Sequence, residues 1–385
     1  MNKIRDLIND LIFAFFHLFP LQNKVVATTF KGLKYGDNPQ YILEELHRMD
    51  PSIKLCWLHN RVRSYVIPDY ISDIPYARKL RFFYELATAK VWIDTHRIRP
   101  FYRKRKGQYF IETWHGGLGI KKVEMDIPWY KENDMVRQEL ECTTRLADVF
   151  ISQSDHLTRI YREAFGYKGL VWKCGYPKND ILVNGKNGIC VKVKNAMNIP
   201  SDTKILLYAP SFRDWFAQKK DYSVYAVDFV RLQETLVSRF GGTWKILVRW
   251  HPLFADILSK EIKQSDVCVL DVTKYPDMQE LILATDVMLS DYSSCIFDAS
   301  IRRIPCFTFA TDFEEYKSDR GVYYEMEELP FPYARNNEEL IDNIRNFEED
   351  VYQKELDKFF MRTGLLETGH AAVDIAKEIL TYMRN

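Results

Sequence analysis

The stretch VMLSDYSSCIFDASI at 287–301 predicts a buried strand, a short polar turn and the first turns of a helix. We expect the strand to end at Ser290 and the helix to begin near Ser293 or Ser294. Helix N-termini carry unpaired N–H groups and partial positive charge, and serine hydroxyls add donors, so this turn suits a phosphate group. Capping of the helix by a serine or aspartate is the simpler alternative.

Two aspartates in the same stretch have more than one possible role. Asp291 and Asp298 could bind a metal ion, or they could orient serines, arginines or a ribose hydroxyl. The spacings H-x-x-x-H and D-x-D, which are typical of metal ligands, are absent from the sequence. We therefore expect no metal and no cofactor.

Outward from this stretch, apolar strand-like runs alternate with amphipathic helices along the chain. Such alternation is typical of parallel sheets covered by helices on both faces. The first series of runs is KVVATTF, KLCWLH, KVWIDTH, QYFIETWH and DVFISQS, and the second is TKILLYAPSF, WKILVRWHP, VCVLDV, DVMLSDYSS and IPCFTFA. The segment VNGKNG at 183–188 separates them, and 385 residues exceed what one hydrophobic core usually serves. The sequence therefore predicts an α/β fold with two parallel-sheet domains facing each other across a cleft.

The predicted boundaries divide the chain into three parts. Residues 1–22 form an amphipathic helix, residues 23–185 a first domain and residues 186–385 a second, with the last helix free to cross back. Open parallel sheets bind ligands outside the carboxyl ends of their strands. Polar residues at those ends are therefore the candidate functional residues.

One such residue is the histidine of FIETWHGGLG, residues 110–119. His115 follows a predicted strand and precedes Gly116 and Gly117, which let the backbone approach a ligand closely. Lys121 is expected at the start of a helix, which completes a surrounding suited to phosphate. An isolated histidine is more often structural, but a neutral imidazole at this position would also suit a general base.

Further polar residues follow strands of the second series. Arg249 and His251 end the run LVRWHPLF, in which Pro252 prevents the strand from continuing, and Ser211 and Arg213 follow the strand of YAPSFRDW. These residues, with the serine turn, are candidates for holding phosphate.

The segment CGYPKNDIL at 174–182 closes the first predicted domain. Its candidate ligand-binding residues are Gly175, Pro177 and Asp180. Formation of a turn explains these residues nearly as well as ligand binding does.

The N-terminal stretch has a broad apolar stripe at helical spacing from Ile4 to Phe19, which Pro20 ends. It is too short and too charged to span a bilayer, and it lacks the cleavage site of a secretory signal. Two possibilities remain open: a helix lying in the membrane interface and a helix packed on the first domain.

A basic run, HRIRPFYRKRK at 96–106, supports the membrane possibility. Its cluster of Arg103, Lys104, Arg105 and Lys106 suits anionic headgroups or a phosphate-rich substrate, although charged runs are usually solvated loops.

Charge and cysteine content exclude other classes of protein. The net charge of +1 gives no general attraction to nucleic acid. The seven cysteines are scattered and never in C-x-x-C spacing, which argues against a disulfide framework or a zinc site and favours a reducing cytoplasm.

Taken in order, TWHGG with the lysine pair after it, GYPKND, YAPSFR, RWHP and SDYSSCIFD resemble the CDP-glycerol glycerophosphotransferases, the primases and polymerases of wall teichoic acid. The segments YGDNPQYI at 35–42, DRGVYYE at 319–325 and TGHAA at 368–372 extend the resemblance over nearly the whole chain from about residue 25. The departures are mild: Gly117 and Ser211 stand where the family often has threonine, and Lys178 where it often has arginine.

This resemblance implies a GT-B-like fold of two Rossmann-type domains, the first for the acceptor and the second for a CDP-alditol donor. CDP-glycerol or CDP-ribitol would donate an alditol phosphate to a polyprenyl-diphosphate-linked saccharide, with release of CMP, at the cytoplasmic face of the membrane. His115 would act as base, and the arginines, the serine turn and His251 would stabilise the leaving group.

Two other classes of function stay open on the sequence. A GT-B glycosyltransferase using a UDP-sugar would share the fold and the phosphate-binding turn. A non-catalytic protein at the membrane surface would explain the N-terminal helix and the basic run, but not the polar residues at so many strand ends.

Overall fold

The computed structural model describes residues 3–60, 65–185, 188–213, 222–251 and 269–384. Pro252 and residues 186–187 of the predicted linker lie outside these ranges. The strands are β1 Gln22–Ala27, β2 Lys54–His59, β3 Ile71–Pro75, β4 Ala89–Asp94, β5 Tyr109–Glu112, β6 Val149–Ser152, β7 Leu170–Lys173, β8 Lys204–Tyr208, β9 Trp244–Val248, β10 Val269–Asp271, β11 Val287–Ser290, β12 Cys306–Phe309 and β13 Tyr333–Ala334. The helices are α1 Lys3–Phe16, α2 Asp37–Met49, α3 Lys79–Thr88, α4 Asp134–Leu146, α5 Asp155–Glu163, α6 Asp180–Asn184, α7 Ile189–Ala196, α8 Phe229–Phe240, α9 Met278–Leu283, α10 Cys295–Ile301, α11 Phe313–Asp319, α12 Asn337–Arg345, α13 Glu349–Thr363 and α14 Ala371–Arg384.

The chain forms two compact units, each built on one parallel sheet. The first comprises Met1–Gly116, Trp129–Asp180 and Leu365–Asn385, and the second comprises Gly117–Pro128 and Ile181–Gly364. The predicted α/β fold with two parallel sheets is confirmed. The units divide five residues before the expected position 185, and α14 belongs to the first unit.

The first sheet has the strand order β3-β2-β1-β4-β5-β6-β7, with every pair parallel. The order of strands reverses between β1 and β4, where sheets of this kind bind ligands beyond the carboxyl ends. The inner strands are buried because helices cover both faces. Residues that follow β1, β4 and β5 therefore meet at one edge.

The second sheet has the order β10-β9-β8-β11-β12-β13, again with parallel pairs only. Its order reverses between β8 and β11. The stretch 287–301 forms β11 and α10, so its serine turn lies beside this reversal.

Three strands were not predicted. β3 and β7 lie on the two edges of the first sheet and β13 lies on one edge of the second. Edge strands are half exposed and short, so they lack the continuous apolar runs by which the inner strands were recognised.

Helix α1 packs on the first unit with one side and is exposed on the other. Phe13 is only 1 % exposed and meets the ring of Phe83 on α3 edge-on, with 4.9 Å between centroids. Leu7, Leu11 and Phe15 recur every four residues on the other side, and Leu11 is 62 % exposed. Packing on the first unit thus accounts for one side of this helix, and membrane contact of the exposed side stays a prediction.

The basic run lies against α1. Arg103 pairs with Asp10 of α1 at 2.6 Å, and the guanidinium of Arg105 donates to the carbonyl of Phe19 at 2.7 Å. Lys104 pairs with Asp148 at 2.5 Å. Three of the four residues thus make contacts within the unit that fix α1 and the nearby chain, and Lys106 is exposed; contact of the run with headgroups stays a prediction.

Candidate functional site

His115 of the first unit follows β5 through a strained turn. Trp114 has a φ of +53°, which is uncommon for a large residue and marks stored backbone strain. Its N–H donates to Glu112 at 2.9 Å, and the amide of Asn38 donates to its carbonyl at 3.3 Å. These buried polar groups hold the turn that directs the His115 side chain.

The imidazole of His115 is held in a defined tautomer. Its Nδ1 lies 2.8 Å from the carbonyl oxygen of Thr95, the residue after β4. A carbonyl oxygen can only accept, so Nδ1 carries the hydrogen and Nε2 of the neutral ring carries the lone pair. The ring of Phe30, three residues after β1, packs on the imidazole with 4.8 Å between centroids.

Two titratable groups beside Thr95 are shifted by burial. Burial raises the pKa of Asp94 to about 8, although the N–H groups of Thr95 and His96 donate to its carboxylate. Burial lowers the pKa of His96 well below its ordinary value, and the neighbouring His115 and cations lower it further. Both side chains are therefore favoured in their neutral forms near pH 7.

The segment GYPKND supports the backbone at His115. The hydroxyl of Tyr176 donates to the carbonyl of Gly116 at 3.0 Å, and Nζ of Lys178 donates to the carbonyl of His115 at 3.3 Å. The N–H of Lys178 donates to Asn38 at 3.2 Å, so the same asparagine ties this segment to the Trp114 turn. Asn38 was within the resembling segment YGDNPQYI but had no predicted role.

The predicted ligand residues of this segment have structural roles. Gly175 has a φ of +89°, and a Cβ there would lie 2.9 Å from a carboxylate oxygen of Glu367, so glycine is required. Pro177 is buried in the first turn of a short 3₁₀ helix. Asp180 accepts the N–H groups of Ala371 and Ala372 at 3.0 and 2.8 Å and so caps α14. The structure corrects the assignment of Asp180 as a ligand residue.

The chain passes from the first unit to the second immediately after His115 and Gly116. In the second unit, Gly119 lies beside the serine turn: a Cβ built on it would be 4.0 Å from that of Ser294. The expected helix at Lys121 is wrong. Lys121 instead forms an antiparallel bridge to Val322, and the N–H of Tyr323 donates to Ile120 at 2.6 Å, because the segment DRGVYYE supplies a backbone partner.

Arg213 is buried between carboxylates in the second unit. It is 1 % exposed, and it pairs with Asp291 at 2.7 Å and with Asp312 at 2.6 Å. The ring of Tyr292 lies 4.6 Å from the guanidinium. A guanidinium enclosed in this way is not presented to a phosphate. The prediction that Arg213 binds phosphate is therefore corrected: Arg213 has a structural role, because it holds Asp291 and Asp312 together.

Three other predicted ligands are likewise used inside the unit. Asp291 is fully buried and accepts the N–H of Ser211 at 2.7 Å, which agrees with the orienting role that was its alternative to metal binding. The hydroxyl of Ser290 donates to the carbonyl of Ala209 at 2.7 Å. Asp298 is buried and accepts from Gln279 at 3.1 Å.

The remaining candidates in the second unit are accessible or hold unused hydrogen-bonding capacity. Ser293 and Ser294 are half-buried before α10, and His251 is exposed with its ring 5.4 Å from that of Phe212. Arg249 follows β9 and donates to the carbonyl of Tyr275 at 2.7 Å with one of its nitrogens. Burial lowers its pKa, but arginine stays charged.

The hydroxyl of Ser211 is buried, and the described residues provide no hydrogen-bond partner for it. A buried hydroxyl in this position can donate to a bound ligand, so Ser211 stays among the candidate donor-binding residues. Ser211 follows β8, at the reversal of strand order where a ligand is expected.

Other kinds of site are not evident within the described ranges. No group of three or more His, Cys, Asp or Glu side chains there could hold a metal ion. Among those residues, no helix has both the length and the hydrophobicity to cross a bilayer.

Comparison with known proteins agrees with this arrangement. Residues 11–381 match the profile of the family described as CDP-Glycerol:Poly(glycerophosphate) glycerophosphotransferase. The teichoic acid poly(glycerol phosphate) polymerase of Staphylococcus epidermidis is 29% identical over 90% of this chain and 49% of its own length. The teichoic acid glycerol-phosphate transferase of Staphylococcus aureus is 28% identical over 98% of this chain and 99% of its own. The chain spans about half the length of the curated polymerases of S. epidermidis and Bacillus subtilis.

The fold is also that of a solved protein. A variant of the wall teichoic acid polymerase TagF soaked with CDPG superposes with a TM-score of 0.83 and 25% sequence identity, covering 99% of this chain and 96% of the other. The GT-B-like architecture predicted for the two units is confirmed by this similarity.

Proposed function

The chain belongs to the CDP-glycerol:poly(glycerophosphate) glycerophosphotransferase family, and from this premise we propose that it transfers an alditol phosphate from a CDP-alditol to a hydroxyl of a lipid-linked acceptor, releasing CMP. The donor is CDP-glycerol or CDP-ribitol, because relatives include both glycerol-phosphate and ribitol-phosphate polymerases. The acceptor is a polyprenyl-diphosphate-linked saccharide of the teichoic-acid or capsule type.

The single observation that carries this proposal is the hydrogen bond from His115 Nδ1 to the Thr95 carbonyl. It leaves Nε2 of the neutral ring as the basic nitrogen. The acceptor oxygen attacks the phosphorus attached to the alditol, its proton passes to Nε2, and the bond from that phosphorus to the CMP oxygen breaks. His115 is therefore the proposed general base.

The second unit supplies the groups that stabilise the negative charge on the departing CMP. Arg249 and the exposed His251 follow β9, while Ser211, whose hydroxyl has no hydrogen-bond partner among the described residues, follows β8. Ser293 and Ser294 add hydroxyls after β11. Phosphoryl transfer is catalysed largely by such placed charges and donors, so this set replaces the one that included Arg213.

The protein is proposed to act as a peripheral protein at the cytoplasmic face of the membrane. The outward side of α1, with Leu7, Leu11 and Phe15, and the turn after it at Leu18 are exposed and apolar, and Lys106 of the basic run is exposed as well. Apolar surfaces of this kind flanked by cations bind anionic membrane interfaces. The described cysteines are all free thiols, in keeping with a reducing compartment.

A substrate panel tests the proposed function. Purified protein is supplied in turn with CDP-glycerol, CDP-ribitol and UDP-sugars, together with a detergent-solubilised lipid-linked acceptor, and nucleotide release is measured. Release of CMP that depends on the acceptor is expected with a CDP-alditol. Acceptor-dependent release of UDP, with no CMP, would instead identify a glycosyltransferase.

A further inference from the structure

A cavity of about 410 Å³ opens in the first unit beside α1 and α3. This volume lies within the range of ligand-binding pockets, roughly 300–1,000 Å³. Its walls are largely aromatic, formed by Tyr76, Phe82, Phe83, Phe101 and Tyr102. An apolar group of some length therefore fits it.

The rim of the cavity is cationic. Lys31, Lys79 and Arg99 line it together with one carboxylate, Glu139. Glu139 is already compensated, because Lys31 lies at 2.8 Å from it and Arg97 at 3.6 Å. Lys79 and Arg99 are exposed, and within the described part of the chain neither forms an ion pair. The rim therefore has a surplus of positive charge and favours an anion.

The position of α1 connects the cavity with the exposed apolar surface of the helix. Asn9 of α1 lines the cavity, while Leu7 and Leu11, two positions away on either side, are exposed. A ligand seated with its anionic group at the rim could thus extend an apolar chain toward the surface that is proposed to meet the membrane. The cavity therefore suits a molecule that has both an anionic group and an apolar chain.

The cavity is also a neighbour of the proposed base. Phe30 packs on the His115 ring, and the next residue, Lys31, lines the cavity. Phe30 and Lys31 form a short turn after β1 in which both have positive φ, 46° and 54°. This turn lies between the cavity and His115. Both therefore lie at the carboxyl edge of the first sheet.

We propose that this cavity binds a diphosphate esterified to a long apolar chain, with the diphosphate at Lys79 and Arg99 and the start of the chain against the aromatic walls. The cavity is then the binding site for the lipid anchor of the acceptor, an assignment that rests on the proposed function. Cations distributed around the rim match two linked phosphates better than one. The saccharide end of the same molecule is then held in the unit that carries His115.

Calorimetric titration with farnesyl diphosphate, a short soluble compound of this class, tests the assignment. Farnesyl diphosphate is expected to bind at least about tenfold more tightly than inorganic diphosphate or farnesol, because only it has both the charged head and the apolar chain. The double variant Lys79→Glu/Arg99→Glu should weaken its binding about tenfold or more, since each charge-assisted contact is worth about a factor of ten.

The matched control is Arg78→Glu/Lys168→Glu. Both control residues are exposed in the same unit, do not line the cavity and undergo the same change of charge. The control should bind farnesyl diphosphate like the wild type. Equal weakening in the two double variants, or no binding of farnesyl diphosphate to the wild type, would overturn the assignment.

A phospholipid is the competing occupant. Dihexanoyl phosphatidylglycerol carries one phosphate on apolar chains, and it should bind at least about tenfold more weakly than farnesyl diphosphate if the rim is built for a diphosphate. Equal affinity, lost in the same rim variant, would identify a phospholipid site and overturn the assignment to the acceptor anchor.

Transfer assays separate this inference from the proposed function. The rim variant should raise the KM for a lipid-linked acceptor about tenfold or more while using a lipid-free acceptor analogue like the wild type. An unchanged KM for the lipid-linked acceptor would count against the cavity as its binding site. If the wild type transferred to neither acceptor, the proposed function would fail, and the titrations alone would decide what the cavity binds.

Discussion

Arg213 and Arg249 both follow strands of the second unit, yet their surroundings differ. Arg213 is enclosed by Asp291 and Asp312, whereas Arg249 has one described hydrogen bond, to the carbonyl of Tyr275. In the sequence, both are arginines that follow a predicted strand, so residue type and position do not distinguish them. Burial and partners give the first arginine a structural role, whereas donor binding by the second is our proposal.

Arg213→Met should therefore lower the free energy of unfolding by about 3–5 kcal/mol, because two buried carboxylates lose their cation. Arg249→Met should keep its stability within about 1 kcal/mol and weaken CMP binding about tenfold or more. Denaturant unfolding and calorimetry with CMP measure the two effects. Loss of CMP binding in a fully stable Arg213→Met protein would restore Arg213 as a ligand.

The buried carboxyl of Asp94 predicts a pH dependence of stability. Its pKa is about 8 in the folded protein because burial disfavours the charged form, against an unfolded value of about 4. Between these values the folded state binds more protons than the unfolded state, so this group lowers stability as pH rises.

Asp94→Asn removes this titration and keeps an oxygen to accept the N–H groups of Thr95 and His96. The melting temperature of the variant minus that of the wild type should therefore increase from pH 5 to pH 8, because the other titrating groups are common to both proteins. A difference that stays constant over this range would show that Asp94 is ionised throughout.

Among the elements, helix α1 has one side packed in the core of the first unit and another side that is exposed. Phe13 lies in the aromatic core of the first unit, and Leu11 and Phe15 are 62 % and 56 % exposed. Removing the whole helix would change its buried and exposed sides together. Substitutions at chosen positions change one side at a time.

Phe13→Ala should destabilise the protein by about 3–5 kcal/mol, the usual cost of emptying a buried aromatic site. Leu11→Asn/Phe15→Asn should keep the melting temperature and lose most sedimentation with anionic liposomes, because each exposed apolar side chain contributes to interfacial binding. Liposome binding by this double variant equal to that of the wild type would exclude the outward side of α1 as the membrane contact.

The sequence predicted elements well where one physical signal dominated. Inner strands were found because helices on both faces require continuous apolar runs. A helix was expected to start at Lys121, after the Gly116-Gly117 step, but the backbone of Lys121 pairs with Val322, some two hundred residues later. For α1, an apolar stripe on both sides of the helix fits core packing and membrane binding equally, so the sequence could not separate them.

At the scale of the whole molecule, the strand-end rule located the site residues but not their partners. The ion pair of Arg213 with Asp312 joins residues far apart in the chain, and no local pattern indicates it. The segments YGDNPQYI, TWHGG and GYPKND come together around His115 through Asn38, Tyr176 and Lys178. Their shared role as a support for one imidazole appears only once the strands are placed in order.

The proposed role of His115 as general base is tested by the rate of CMP release by His115→Asn with saturating CDP-glycerol and acceptor, measured beside the calorimetric affinity for CDP-glycerol. His47→Asn is the control, because His47 stacks on Tyr70 away from the polar strand ends. We expect a loss of about 100- to 10,000-fold in rate with donor affinity unchanged, since a general base acts on the acceptor proton. A His115→Asn protein that retained more than about a tenth of wild-type turnover would contradict this role, because loss of a general base costs far more than this.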